Sequence, residues 1–282
     1  AKKEKFKNLL VYDAINKILN KNKILAPRLY TQRYDKNFIE IQDFGNETVF
    51  KTLKKKGKNK LSYFNRIIKL LIQIQSIKHR KVKNFRNQNY IIPKYDKKIL
   101  INEANLFCDW YAKNNLSKLR KKRFCKKFKK IIKELTLKLK LKDNIFVHRD
   151  FHVSNLMSVK NQIGLIDSQD ALIGNKAYDL ASLIDDVRLK TSYSFKEKIF
   201  KFYTKKQKNL DIKKFKNDFE ILSVLRNLKI IGIFTRLALR DRKKNYLRFI
   251  PYTWQLINMR IDQNRTFIDL KNLLSQNFKK IK

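Results

Sequence analysis

Asp150, Asn155 and Asp167 are the side chains best suited to chemistry in this chain, by type and by spacing. They stand in the run His148-Arg149-Asp150-Phe151-His152-Val153-Ser154-Asn155-Leu156, with Ile166-Asp167 further on. A loop carboxylate beside a divalent cation stays ionised and can take, or aim, the proton of an attacking hydroxyl. The carboxamide of Asn155 and the second carboxylate, Asp167, are hard oxygen donors of the kind Mg2+ prefers. Together they supply the base and the metal ligands of in-line phosphoryl transfer. Ordinary loop polarity is the competing account, but three oxygen-bearing groups at this spacing around a hairpin rarely arise by chance. His148 reads as an organiser of the loop through hydrogen bonds. A zinc site built from His148 and His152 lacks a third ligand.

The elements that must position these groups are legible around them. Residues 145–147 read as a short buried strand running into the His-Arg-Asp loop. Residues 156–159 and 163–166 read as strands joined through Lys160-Asn161-Gln162, a hairpin-sized connection. That hairpin hangs Asn155 at one end and Asp167 at the other, so both reach one metal ion. Upstream, residues 4–24 form a helix with Phe6, Leu9, Leu10, Ala14, Ile18 and Leu19 on one side, ended by Pro27. Residues 29–34 and 38–41 read as two strands joined by a turn at Asp35-Lys36-Asn37. Gly57 marks a basic loop across residues 51–60, and helices follow over 61–78 and 100–113. After Gly174 the pattern is helical, near 178–190, 195–208, 213–240, 246–258 and 265–278. A small mixed part precedes a larger, mostly helical one, an α+β class.

Composition bounds the rest. A chain of 282 residues, 43% hydrophobic and 12% aromatic, is globular and long enough for one sizeable core or two lobes. The most apolar window, 221–239, is interrupted by Arg226, Lys229 and Arg236, which argues against a membrane span. The opening Ala1-Lys2-Lys3-Glu4-Lys5 is no cleavable signal, and the absence of an initial Met raises the expectation of a segment upstream. Cys108 and Cys125 fit neither a disulfide framework nor zinc-ligand spacing, and read as reduced thiols in the cytoplasm. The net charge of +44 is spread along the chain with abundant Lys, Asn and Ile, as compositional drift would give. Its densest stretch, 113–142, holds 14 Lys and Arg against Glu134 alone among acids, yet Phe124, Phe128, Ile131, Ile132 and Leu135 recur at helical spacing. That describes an amphipathic helix with a solvated basic face. No RNA- or DNA-binding motif is present, so no specific nucleic-acid partner is expected.

With these residues in view, the chain resembles the aminoglycoside phosphotransferase/choline kinase superfamily. More narrowly it is similar to the bacterial anomeric kinases of N-acetylmuramate and N-acetylglucosamine, which act in cell-wall recycling. The narrower likeness rests on three sets of residues. They are the His148–Leu156 run; Gly164-Leu165-Ile166-Asp167-Ser168-Gln169-Asp170-Ala171 with Tyr178-Asp179-Leu180; and Arg226-Asn227-Leu228-Lys229-Ile230 with Gly232-Ile233-Phe234. The resemblance implies a protein-kinase-like, two-lobed fold. Residues 1–44 are then the remainder of a small lobe up to the hinge, and 45–282 a helical large lobe with the catalytic loop and the metal-binding hairpin. It implies ATP and Mg2+ as cofactors and a small-molecule sugar as substrate. Asp150 then matches the catalytic Asp, Asn155 and Asp167 the metal ligands, and Asp179 a brace of the catalytic loop beside His148. Residues 39–44 match the hinge, with Ile41, Asp43 and Phe44 at the adenine edge. Glu103, Asp109 and Trp110 are placed toward the sugar, and helix packing or surface charge accounts for these three equally well.

Two departures stand against the family pattern. Ser168 occupies the position where the family usually has Phe. The five glycines, 45, 57, 164, 174 and 232, make no phosphate-cradling loop, so the start of the small lobe is expected to be missing and nucleotide binding by this chain alone to be poor. Charge bears on the acceptor: 68 basic against 24 acidic residues poorly suit a polycationic aminoglycoside, and a basic field favours a sugar acid or neutral sugar. A choline-type acceptor would want an aromatic cage. A non-catalytic kinase-like scaffold is the alternative, although drift of that kind would be expected to erode one of Asp150, Asn155 and Asp167. Nothing in the sequence sets an oligomeric state.

Overall fold

The structure, a computed structural model, describes residues 7–55 and 59–278. In chain order its elements begin with α1 (Lys7–Lys21), β1 (Leu29–Arg33), β2 (Phe38–Ile41), α2 (Val49–Lys54) and α3 (Lys60–Gln75). Then come β3 (Lys81–Lys83), β4 (Asn89–Ile91), α4 (Lys97–Leu106), a π-helical turn (Phe107–Ala112), α5 (Lys113–Asn115) and α6 (Lys118–Leu137). They continue with β5 (Asp143–Val147), β6 (Leu156–Val159), β7 (Gln162–Leu165), β8 (Leu172–Asn175), α7 (Tyr178–Ile184) and α8 (Tyr193–Lys205). The chain closes with α9 (Ile212–Leu239), a 3-10 turn (Lys244–Phe249), α10 (Ile250–Ile261), a second 3-10 turn (Arg265–Phe267) and α11 (Ile268–Asn277). One compact unit joins Ala1–Lys94, Lys142–Ile184 and Thr191–Asn209; the other joins Tyr95–Leu141, Asp185–Lys190 and Leu210–Lys282.

The first unit is built from two-stranded antiparallel ribbons and helices. β1 pairs with β2, β3 with β4, β5 with β8 and β6 with β7. In the last, Val159 faces Gln162, so Lys160 and Asn161 alone make the turn, and Lys160 takes a left-handed φ of 49° to do it. α1 buries Ala14, Ile15, Ile18 and Leu19, as its periodicity predicts. Residues 4–6 of the expected helix, Phe6 among them, and Gly57 of the expected loop lie outside the described residues. The helix ends at Lys21, three residues before the expected boundary at 24. Lys23 turns left-handed at φ 59°, and the Ile24 amide donates back to the Leu19 carbonyl at 3.0 Å, which closes the last turn first. Part of the expected basic loop is α2, capped by the Thr48 hydroxyl on the Lys51 amide.

The second unit is helical. Its core gathers Phe107, Phe124, Phe128 and Trp254, with the Phe107 and Phe128 rings stacked 5.5 Å apart. α6 turns Phe124, Phe128, Ile132 and Leu135 into that core, which is the apolar stripe read from the sequence. α9 is buried around most of its circumference, so its ionic residues need internal partners. Gly232 on α9 sits so close to α4 that a Cβ there would lie 2.3 Å from the Leu106 carbonyl carbon. At that point the helix of α4 widens into the π-helical turn carrying Asp109 and Trp110. The two cysteines of this unit are free, and Cys108 hydrogen-bonds to Cys125; burial pushes the Cys108 thiol well above its ordinary range. Among the described residues no helix is long and apolar enough to cross a membrane.

Candidate active site

β5 delivers the chain into the His148-Arg149-Asp150 loop, and a single buried carboxyl holds that loop in shape. Asp179, in the first turn of α7, accepts the backbone N–H groups of His148 at 2.7 Å and Arg149 at 3.0 Å. Arg149 adopts a left-handed φ of 72°, a conformation disfavoured for a residue with a Cβ and maintained here by those two bonds. Its guanidinium donates to the Asp170 carbonyl at 3.3 Å. The His148 ring is fully buried, with Nε2 3.1 Å from the Ile166 carbonyl, and burial pushes the imidazole below its ordinary value. A neutral ring follows, so His148 ties the loop to the end of β7 and carries no charge into the site.

The β6–β7 ribbon brings the other two groups to the loop. Asn155 lies just before β6 and Asp167 just after β7, and the Ile166 amide donates to the Asn155 carbonyl at 3.1 Å. The Asn155 Nδ2 donates to the Asp150 carbonyl at 3.1 Å and to the Asp167 Oδ2 at 3.4 Å. One carboxamide therefore ties the backbone of Asp150 to the carboxylate of Asp167. Asp167 is exposed and left-handed at φ 63°, and its Oδ1 accepts the Gln169 Nε2 at 2.7 Å. This donor set suits a hard divalent cation: one carboxylate, and a carboxamide that presents oxygen after a half-turn of its terminal bond. Among the described residues no cluster of three or more His, Cys, Asp and Glu gathers to hold a metal. A cation here would take its remaining ligands from phosphate and water, as Mg2+ commonly does.

Ser168 is explained by its surroundings. It is wholly buried, and its hydroxyl donates to the Asn16 Oδ1 at 2.5 Å, while the Asn16 Nδ2 donates to the Pro27 carbonyl at 3.1 Å. A polar side chain thus replaces an aromatic one and ties the segment after β7 to α1. Asn16 was missed in the sequence, although an Asn inside the buried stripe of α1 is the kind of signal that would have found it. It also lines a cavity of about 270 Å³ with Tyr12, Ile39 and Ile41. Burial raises the Tyr12 phenol above its ordinary value, the hydrogen bond from Asn16 opposes this, and the Asp167 charge adds to the rise.

Of the residues expected at the nucleotide, Ile41 is thus on the cavity wall. The Asp43 Oδ1 accepts the Gly45 amide at 2.7 Å, and the Phe44 ring packs on Gly164, where a Cβ would stand 2.8 Å from its Cε2. The residues expected at the sugar are in the second unit. Glu103 is engaged by the Tyr95 hydroxyl and by the Lys229 Nζ at 3.0 Å. Asp109 is exposed and Trp110 half-buried on the π-helical turn. Lys229 figured in the sequence as an interruption of an apolar window and as part of the motif of residues 226–230; its ion pair with Glu103 gives it a structural place. Its neighbour Arg226 is also buried, and its Nη1 has no hydrogen-bond partner.

Comparison with known proteins sharpens these findings. Residues 6–210 match the model of a family described as the phosphotransferase enzyme family. The N-acetylmuramate/N-acetylglucosamine kinase of Neisseria meningitidis serogroup B is 27% identical over 232 residues, covering 80% of this chain and 67% of that protein. The enzyme of the same name from Pseudomonas aeruginosa is 28% identical over 256 residues, covering 89% and 72%. Among solved structures, a Plasmodium vivax ethanolamine kinase superposes with a TM-score of 0.60 at 14% identity, covering 89% of this chain and 73% of that one. At that identity the likeness is one of fold, and it agrees with the protein-kinase-like α+β class expected from the sequence.

Proposed function

The chain belongs to the phosphotransferase enzyme family and is a small-molecule kinase, and we propose that it moves the γ-phosphate of ATP to the anomeric hydroxyl of N-acetylmuramate or N-acetylglucosamine. The observation that carries this reading is the Asn155 carboxamide, which ties the backbone of the Asp150 loop to the Asp167 carboxylate. The name shared by relatives aligned over most of the chain narrows the acceptor. The excess of basic residues is consistent with an acidic or neutral sugar.

In this reading Asp150 orients the sugar hydroxyl and takes its proton as the oxygen–phosphorus bond forms. The bond from the γ-phosphorus to the bridging oxygen breaks, and ADP leaves with the electron pair. Asp167 and Asn155 would hold Mg2+, which would supply positive charge against the phosphates of the nucleotide. Asp179 keeps Asp150 in place by gripping the two amides before it. The backbone of residues 41–44 meets the adenine edge. Such an enzyme works in the cytoplasm, where ATP and Mg2+ are supplied.

The test is phosphate transfer from Mg-ATP to N-acetylmuramate, N-acetylglucosamine, kanamycin and choline, by the native chain and by Asp150→Asn. Transfer to an amino sugar that falls by about 10²- to 10⁴-fold in Asp150→Asn is the expected result. Transfer to kanamycin or choline in preference to both sugars would overturn the acceptor, and full activity in Asp150→Asn would overturn the base.

A further inference from the structure

The outer face of α6 is too ordered to be only a by-product of a basic composition. Its 20 residues hold ten Lys and Arg and the single acid Glu134, whose one ion pair is a loose contact to Lys130 at 4.0 Å. Phe124, Phe128, Ile132 and Leu135 point into the core, so the side that faces water is fixed. On that side Leu119, Arg123, Lys126, Lys130, Lys133 and Leu137 follow one another at i, i+4, i+7, i+11, i+14 and i+18, a single strip along the helix. The two leucines that end the strip are each 61% exposed. At about 1.5 Å per residue the strip is about 27 Å long.

We propose that this face of α6 docks on an anionic lipid surface. Charge complementarity sets the sign of the partner, because a row of cations that outnumbers the neighbouring acids Glu134 and Asp269 seeks a dense anionic plane. The leucines decide between the two large polyanions. On a bilayer they enter the boundary between headgroups and acyl chains while the flanking lysines meet phosphates. A polynucleotide offers them nothing comparable, and the strip has no aromatic ring on which a base would stack. The helix lies flat on the surface and does not cross it, in keeping with the absence of a spanning helix among the described residues.

Sedimentation of the full chain with vesicles tests this. The vesicles are phosphatidylcholine alone or with about a third phosphatidylglycerol, at an ionic strength of about 0.1 M, where the Debye length is about 10 Å. One variant carries Lys122→Gln, Lys126→Gln, Lys129→Gln and Lys133→Gln on α6. A control of equal net charge carries Lys198→Gln, Lys201→Gln, Lys205→Gln and Lys208→Gln, also exposed. A third carries Leu119→Ser and Leu137→Ser. Binding that requires phosphatidylglycerol, falls at least about tenfold in the α6 variant, about twofold or less in the control and severalfold in the leucine variant is expected. An equal fall in control and α6 variant would overturn the proposal, since any part of a +44 chain would then serve. So would α6-dependent retention of a single-stranded RNA without vesicle binding, or a leucine variant that binds like the native chain.

Discussion

Asp179 and Asp218 are the same device in two places. Each is wholly buried, and each accepts two successive backbone N–H groups: His148 and Arg149 at 2.7 and 3.0 Å for Asp179, Lys140 and Leu141 at 2.8 Å each for Asp218. The physics is shared, because a buried carboxyl is tolerated where fixed amide dipoles replace water. What differs is the next residue along the gripped strand of chain. After Arg149 comes Asp150; after Leu141 comes an exposed Lys142. Burial and hydrogen bonding thus identify a clamp, and only the residue beside it makes the clamp part of a site. The surroundings differ as well. Among the described residues, seven of the eight non-glycine residues with positive φ, Arg149 and Asp167 among them, belong to the first unit, while Arg242 is the one in the helical second unit.

The sharpest way to break that comparison is to cut both clamps. Asp179→Asn and Asp218→Asn each leave one amide facing a repelling or poorly placed group. Each is expected to cost about 1–3 kcal/mol by chemical denaturation, because the remaining carboxamide oxygen keeps one amide and the other is orphaned. Phosphate transfer per folded molecule should fall about a hundredfold or more in Asp179→Asn and stay within about twofold in Asp218→Asn. Equal losses of activity would show that Asp179 supports the fold and nothing further.

A third buried acid provides a contrast. Asp185 accepts the Arg260 guanidinium at 3.0 and 3.2 Å and the Ser223 hydroxyl at 2.6 Å, all side chains. Arg260→Met should cost about 3–5 kcal/mol by stranding a buried charge, and adding Asp185→Leu should recover most of it. No such rescue exists for a clamp on the backbone, because amides cannot be mutated away. Failure of the double variant to recover would place Asp185 among the clamps.

Close approach gives a smaller effect with the same contrast between units. Gly232→Ala puts a Cβ against the Leu106 backbone and is expected to lose about 1–3 kcal/mol in thermal unfolding. Gly164→Ala meets only the edge of the Phe44 ring, which can turn aside, and should lose less. Reversal of that order would mean that Phe44 is the more rigid neighbour.

The smallest effect is set by pH. The folded-state pKa of His148 lies below its ordinary 6.5 because of burial, so the unfolded chain binds the proton more readily. Its contribution is therefore complete above about pH 6.5 and is lost as pH falls through that value, at up to about 1.4 kcal/mol per pH unit. His148→Gln should flatten that slope in a series of melting curves from pH 7.5 to 5.5. An unchanged slope would assign the acid sensitivity to other groups.

The loop after β5, the hairpin that follows it and the core face of α6 were legible in the sequence because local spacing encodes them. The hairpin was read with a three-residue connection and closes with two, because Gln162 joins β7, yet Asn155 and Asp167 still fall at its two ends. The β3–β4 ribbon was not legible: Lys81-Val82-Lys83 and Asn89-Tyr90-Ile91 are too short for alternation to rise above noise. β8 was hidden because Gly174 reads as a boundary, yet it pairs directly with Ile145. The helix expected over 178–190 stops at Ile184, where Asp185 and Asp186 are taken up by buried side-chain and backbone bonds that no periodicity reveals. Local sequence also says nothing of the Ser168–Asn16 bond, which joins residues 152 positions apart.

The two-residue turn at Lys160-Asn161 makes the β6–β7 ribbon a ruler. Its marks are fixed by the pleat, in which each added residue turns the remainder of a strand over. Lengthening the chain by one residue between Leu156 and Leu165 must bulge a strand or break the register that sets Ile166 opposite Asn155, and with it the placement of Asp167. Insertions in the exposed turns of the helical unit carry no such penalty. Tolerance to changes of chain length should therefore be distributed unevenly over this molecule, and a library of single-residue insertions would show the β6–β7 ribbon as a gap of about ten positions beside the permissive exposed turns.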